Sequence, residues 1–148
     1  MAKSLYTTTS EKNPYYISKH RYLELKHFCL QYPEWKKRYL ELQLVLNKSG
    51  IIFSPSSQLY VSDPVGNIAI EMAELKRKME LVEDTAKCTD ESLSCYILEA
   101  VTTAKTYEFF QTHYDIPCCR DTFYMRYRKY FYLLNRRWFL WLIKKKKI

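Results

Sequence analysis

Glycine and proline are scarce in this 148-residue sequence, which contains two and five of them. An all-β chain needs such residues at each of its many turns, so their scarcity argues against sandwich and barrel folds and favours long helices. Two glycines also cannot build the glycine-rich loop that cradles phosphates in nucleotide-binding enzymes. The sequence therefore predicts an all-α fold, a helical bundle long enough to bury one core without disulfides.

Metal-ligand spacing, a leader peptide and a long apolar run are also missing. None of the five cysteines forms a CxxC pair, and the adjacent Cys118 and Cys119 cannot easily direct two thiolates at one ion. The polar N-terminus has no apolar leader segment, so reduced thiols and a cytoplasmic location are expected. The longest apolar run near the C-terminus, residues 138–143, is too short to span a bilayer. We expect neither a metal nor another cofactor, and no stable membrane insertion.

Positive charge is abundant, but only in one part of the chain. Residues 1–114 hold 14 basic and 14 acidic side chains, whereas residues 115–148 hold ten basic ones against two aspartates. The whole net charge of +8 therefore lies in the last 34 residues. Concentrated positive charge favours binding to a polyphosphate through release of its counterions. An anionic membrane surface would attract it equally, and a solubilising tail is the plain alternative.

Breaks in the hydrophobic pattern divide the chain into four parts. Residues 1–46 predict an N-terminal arm and a helical hairpin, with Ser18 as a helix cap and Pro33 in the first turn of the second helix. Residues 47–63 form a linker rich in Ser and Pro, with a short strand possible at 51–53. Residues 64–138 are expected to be a helical core that ends in a helix-turn-helix, and residues 139–148 a basic aromatic tail that either extends the last helix or crosses back over the core.

A heptad-like stripe marks the predicted helix over residues 65–87. Its apolar positions are Ile68, Met72, Leu75, Met79 and Val82, spaced by alternating steps of four and three. The stripe favours a seam within the chain, because three turns make a short coiled coil. A contact between two copies in a homodimer is the alternative. A further helix is predicted over residues 91–102.

The stretch 106–138 predicts a short helix, a turn and a longer basic helix. Asp115-Ile116-Pro117 marks the turn, because a residue before proline is biased away from the helical basin. The second helix is expected to start at residues 119–121. Its apolar side chains recur at helical spacing: Phe123, Tyr127, Tyr130, Phe131, Leu134 and Trp138. A helical pair with a basic second helix is typical of DNA-binding proteins, although a helical hairpin that happens to be basic also fits.

Two groups of side chains on the second helix are candidates for contacts with double-stranded DNA. Residues near its start would reach base edges, namely Arg120, Asp121, Tyr124 and Met125. Basic residues farther along would hold phosphates, namely Arg126, Arg128, Lys129, Arg136 and Arg137.

The order of these pieces resembles a known family. The segments QYPEWKKRYLEL, SDPVGNIAIEMAELKRKMELVE and DIPCCRDTFYMRYRKYFYLL are similar to RinA/ArpU-type phage and prophage regulators, whose C-terminal part looks like the region-four helix-turn-helix of sigma factors. The resemblance implies activation of phage late genes through promoter DNA, with host RNA polymerase as a further candidate partner. The family's recognition helix commonly opens with a small hydroxyl residue, where this chain has Cys119, so the cap is expected at Asp121 or Thr122.

Other functions use the same pieces differently. The chain could be a phage-encoded adaptor or inhibitor of host RNA polymerase or of a nucleic-acid-cleaving defence complex, with Trp138 and Trp141 as partner-binding anchors. Recognition of phage DNA for packaging is another alternative, and it requires a ring-like oligomer. An enzyme is the least supported class, because catalysis needs converging groups. His20, His27 and His113 lie in predicted amphipathic helices as surface or packing residues, and the paired acids Glu83-Asp84 and Asp90-Glu91 resemble solvated helix ends.

Overall fold

The computed structural model describes residues 13–48 and 64–146, with side chains up to residue 144. These ranges contain six helices and no strand: α1 Lys19–Leu30, α2 Tyr32–Lys48, α3 Pro64–Thr89, α4 Ser94–Thr103, α5 Tyr107–Tyr114 and α6 Arg120–Lys146. The predicted all-α class is confirmed. Most of the predicted arm, the linker from residue 49 with its suggested strand, and the last two residues lie outside the described ranges.

The first two helices form where their local signals predict them. The Ser18 hydroxyl accepts the backbone N–H of Arg21 at 3.4 Å, so it caps the start of α1. Pro33 occupies the first turn of α2, where its missing N–H costs no intrahelical bond. Cys29 of α1 and Trp35 of α2 are buried in the same core, so the two helices pack against it together.

The stripe on α3 faces its own chain. Leu75, Met79 and Val82 are buried, and Ile68 and Met72 are half-buried against the same core. Helix α3 packs against α2 on one side and α6 on the other. The predicted intramolecular seam is therefore confirmed. A homodimer stays a prediction, but this stripe is not available to form its contact.

The last helix passes through the centre of the fold. Helix α6 contacts α1, α3, α4 and α5, and its side chains Phe123, Tyr130 and Leu134 have no exposed surface. Tyr130 Oη donates to the Val82 backbone oxygen at 3.1 Å and lies 3.6 Å from Cys29 Sγ, which joins α1, α3 and α6 in one buried contact. Burial raises the pKa of the Cys29 thiol to about 12, so this cysteine is a neutral packing residue.

Helix α6 continues without a break past Trp138 to Lys146. Of the two arrangements left open for residues 139–146, the structure shows an extension of the helix. In the described ranges no helix offers an apolar stretch long enough to cross a bilayer.

Candidate nucleic-acid interface

Asp115 ends α5 and starts the turn that leads into α6. Its backbone is left-handed, with φ 49° and ψ 55° at the C-cap. Aspartate tolerates this conformation better than most residues, so the turn forms without a glycine. Ile116 follows with its side chain buried in the core, and α6 begins at Arg120. The short helix, turn and long helix lie at their predicted positions.

Aromatic contacts and two hydrogen bonds hold α5 against the start of α6. The ring of Phe123 lies 5.7 Å from the rings of both Tyr107 and Phe110, measured between centroids. Tyr107 Oη donates to the Cys118 backbone oxygen at 2.6 Å, and the Tyr107 backbone N–H donates to Tyr124 Oη at 3.4 Å. Because these bonds cross the turn, they fix where α6 begins relative to α5.

Cys119 itself caps α6. Its backbone oxygen accepts the N–H of Phe123 at 3.0 Å, and its Sγ lies 3.2 Å from Thr122 Oγ1. Hydrogen bonds from the Thr122 side chain and from the backbone of the first turn lower the pKa of the Cys119 thiol. The expectation that Asp121 or Thr122 would replace Cys119 as the cap is therefore wrong, because Thr122 instead bonds to its sulfur.

Three of the four candidate base-reading side chains are exposed. Arg120, Asp121 and Met125 face outward from the first two turns of α6. Arg120 Nε lies 3.5 Å from Glu108 Oε1 of α5, and its guanidinium carbon lies 5.5 Å from the centre of the Tyr124 ring. The Arg120–Glu108 pair is largely exposed, so it holds the guanidinium only weakly.

Tyr124 is the exception among these candidates. Its ring packs edge-on against Phe123 at 5.1 Å, and its hydroxyl accepts the first N–H of α5. Tyr124 is half-buried and joins the two helices, and its role in base reading stays a prediction.

Arg126, one of the predicted phosphate ligands, is bound within the chain. Its Nε lies 3.0 Å from Asp90 Oδ2, and only a third of its side chain is exposed. Asp90 also accepts bonds from Ser92 and from the backbone N–H of Leu93, so one carboxylate joins the start of α4 to α6. The side-chain bond from Ser92 and these other contacts lower the pKa of Asp90. Arg126 is therefore engaged within the chain, and its role as a phosphate ligand stays a prediction.

The remaining predicted phosphate ligands differ in exposure. Arg136 is exposed, with its guanidinium carbon 5.8 Å from the centre of the Tyr132 ring. Three are only half-buried: Arg128, Lys129 and Arg137. The ring of Tyr15 lies 5.6 Å from that of Tyr132, so the segment that precedes α1 contacts α6 near its middle. Exposure along α6 therefore varies from one basic residue to the next.

Trp138 and Trp141, the predicted partner anchors, pack onto the protein itself. Both rings contact Phe28 of α1, with centroid distances of 4.6 Å and 6.3 Å. Arg77 of α3 donates to the Trp141 backbone oxygen at 3.2 Å. The exposed apolar residues near this end of α6 are their neighbours Phe139, Leu140, Leu142 and Ile143. The register could have shown this, since Leu134, Trp138 and Trp141 continue the inward stripe by steps of four and three.

Sequence patterns did not identify the acids that pair with these arginines. Asp90 and Glu108 lie 36 and 12 positions from Arg126 and Arg120 in the chain, so no local spacing signals either contact. The only sequence hint at Asp90 is its place two residues before Ser92, a pattern that often forms a side-chain turn.

Metal-binding side chains do not converge in the part of the chain that the structure describes. No group of three or more His, Cys, Asp or Glu there could hold a metal ion. His113 bonds to the Phe109 backbone oxygen at 2.9 Å and stacks on the Phe109 ring, as a helix-surface residue does.

Comparison with known proteins gives no match to a family model, to a curated protein or to a solved structure. The similarity to RinA/ArpU-type regulators therefore stays a prediction from the sequence pattern.

Proposed function

We propose that the chain is a DNA-binding transcriptional regulator that uses α5 and α6 as a helix-turn-helix, of the phage type that the sequence resembles. The observation that carries the proposal is the start of α6. Arg120 stands exposed in the first turn of a 27-residue helix whose opposite face is buried in aromatic packing. A rigid helix that presents arginine at its N-terminal end suits entry into the major groove, where Arg forms bidentate bonds with guanine.

The charge distribution supports the same partner. No acidic residue follows Asp121 in the sequence, so α6 has only basic charges over its remaining length. Arg136 is exposed and Lys129 is half-buried on the outward side, where both can bind phosphates on either side of a groove. Arg120 would exchange its contact with Glu108 for one with guanine, because exposed ion pairs are weak.

Selection of duplexes from a random pool at physiological salt tests this proposal. We expect enrichment of a short motif by the full chain, and loss of that enrichment in Arg120→Ala, with a loss of about 1–3 kcal/mol on the selected duplex.

Arg38→Ala is the matched control for this experiment. Arg38 is also an exposed arginine paired with a glutamate, Glu71, at 2.8 Å, but it lies on α2. A pool that stays unenriched, or an equal loss in the two variants, would contradict the proposal.

The alternative function, binding to a host enzyme, loses part of its support. It depended on Trp138 and Trp141 as exposed anchors, whereas both rings pack on Phe28 of α1.

A further inference from the structure

The C-terminal end of α6 exposes a group of apolar side chains that we call the C-terminal patch: Phe139, Leu140, Leu142 and Ile143. Their side chains are 62%, 63%, 37% and 51% exposed. Single exposed apolar residues are normal on protein surfaces, but four within five positions of one helix are a feature of interaction surfaces. This patch is independent of the residues proposed to read DNA, which lie at the opposite end of α6.

The patch is held in place by the inward side of the same helix. Trp138 and Trp141 pack on Phe28, and Arg77 bonds to the backbone at residue 141. Phe139 and Ile143 are one helical turn apart, so both project from the other side of the helix, with Leu140 beside them. The tryptophans therefore fix the patch as an outward ridge.

Charge decides which partner fits this ridge. Lys144 is exposed directly after the patch, the sequence continues with three more lysines, and Arg136 is exposed one turn before Leu140. A second copy docked on this end would bring two lysine clusters together, which is unfavourable. A nucleic acid would neutralise the lysines but would leave four apolar side chains in water, because its outer surface is phosphate and sugar.

An anionic bilayer satisfies both features at once. Lysine and arginine bind lipid phosphates at the surface, while apolar and aromatic side chains enter the boundary between headgroups and acyl chains. We propose that the C-terminal patch and its flanking cations dock the protein on an anionic lipid surface, with α6 contacting the bilayer without crossing it.

Co-sedimentation of the full chain with lipid vesicles tests the proposal. We expect binding to vesicles that contain phosphatidylglycerol and much weaker binding to phosphatidylcholine alone. The double substitution Leu140→Ser with Ile143→Ser is expected to weaken the binding by about tenfold or more, since each removes an aliphatic group that the bilayer would bury. High salt is expected to weaken the binding of both proteins by screening the lysines.

The matched control is Leu40→Ser with Leu44→Ser on α2, where the two side chains are 53% and 56% exposed. This control has the same chemistry at similar exposure, so its binding is expected to equal that of the unsubstituted chain. Circular dichroism checks that both double variants keep their helices. Arg120→Ala is expected to bind vesicles normally, which separates this proposal from the DNA-binding one.

Several results would overturn the proposal. They are no binding to anionic vesicles, equal binding to neutral ones, or equal binding by the patch variant and the unsubstituted chain. A patch variant that binds vesicles normally but loses duplex DNA, or loses a protein captured from lysate, would assign the patch to that partner instead.

Discussion

The two ends of α6 differ in what surrounds them. Its first half, around Phe123 and Tyr130, is fully buried along one side, and its arginines Arg120 and Arg126 each lie beside an acid of the same chain. Its last turns have no acidic neighbour in sequence and expose apolar side chains and Lys144. One helix thus joins a region held by intrachain packing and ion pairs to one with an exposed apolar surface.

The contrast explains why net charge alone is a poor guide to an interface. The ten basic residues after residue 114 are counted alike in the sequence, yet Arg126 is bound to Asp90 whereas Arg136 is exposed. Only exposed cations displace counterions from a polyanion at little cost. The proposed functions therefore depend on the exposed subset rather than on the sum.

The largest expected effect compares one phenylalanine from each end of α6. Phe123→Ala removes a ring with no exposed surface that contacts Tyr107 and Phe110, so we expect the free energy of unfolding to fall by about 3–5 kcal/mol. Phe139→Ala, at 62% exposure, is expected to change it by no more than about 0.5 kcal/mol. Urea denaturation measures both, and similar losses would mean that the two ends are packed alike.

The second prediction separates bound from exposed arginines. Arg126→Ala leaves the Asp90 carboxylate without its cation and is expected to lower the free energy of unfolding by about 1–2 kcal/mol. Arg136→Ala is expected to leave stability nearly unchanged. It should instead make the affinity for duplex DNA less sensitive to salt concentration, by the amount expected for the loss of about one phosphate contact. Denaturation and salt titration on one duplex check the pair, and exchanged outcomes would contradict the assignment.

The third prediction concerns pH and the first half of α6. Because the folded-state pKa of Asp90 is lowered, its stabilisation is complete above the ordinary value of 3.8 and is lost as pH falls through the lowered value. Asp90→Asn is expected to cost about 1 kcal/mol at neutral pH and to remove this part of the acid sensitivity. Denaturation series at several acidic pH values measure it. Glu71→Gln serves as the control, since Arg38 lowers the pKa of Glu71 on the outside of α2 and α3.

The smallest expected effect is at the cap of α6. Cys119→Ser places a stronger hydrogen-bond acceptor at the same position, so we expect the free energy of unfolding to rise by about 0.5 kcal/mol. Cys118→Ser is the neighbouring control, because that residue contributes its backbone oxygen to Tyr107 and keeps it after substitution. Thermal denaturation compares the two, and destabilisation by Cys119→Ser would show that the thiol does more than cap the helix.

Local chemistry was enough to predict most helix positions. Three signals each act through the few residues beside them, so the sequence alone predicts their effect. They are Ser18 as a cap, Pro33 in a first turn and Asp115 before Ile116-Pro117. The inward side of α6 was equally legible, because Phe123, Tyr130 and Leu134 follow the helical period and a central helix must bury such a stripe.

The sequence by itself determined the all-α class and the confinement of excess positive charge to the last 34 residues, since composition and period depend on no distant contact. Only the tertiary structure decided which of those charges remain exposed and which distant side chains pair with one another. Asp90 reaches Arg126 and Phe28 reaches Trp138 across large sequence separations, and such pairings follow from the packing of whole helices rather than from any local pattern.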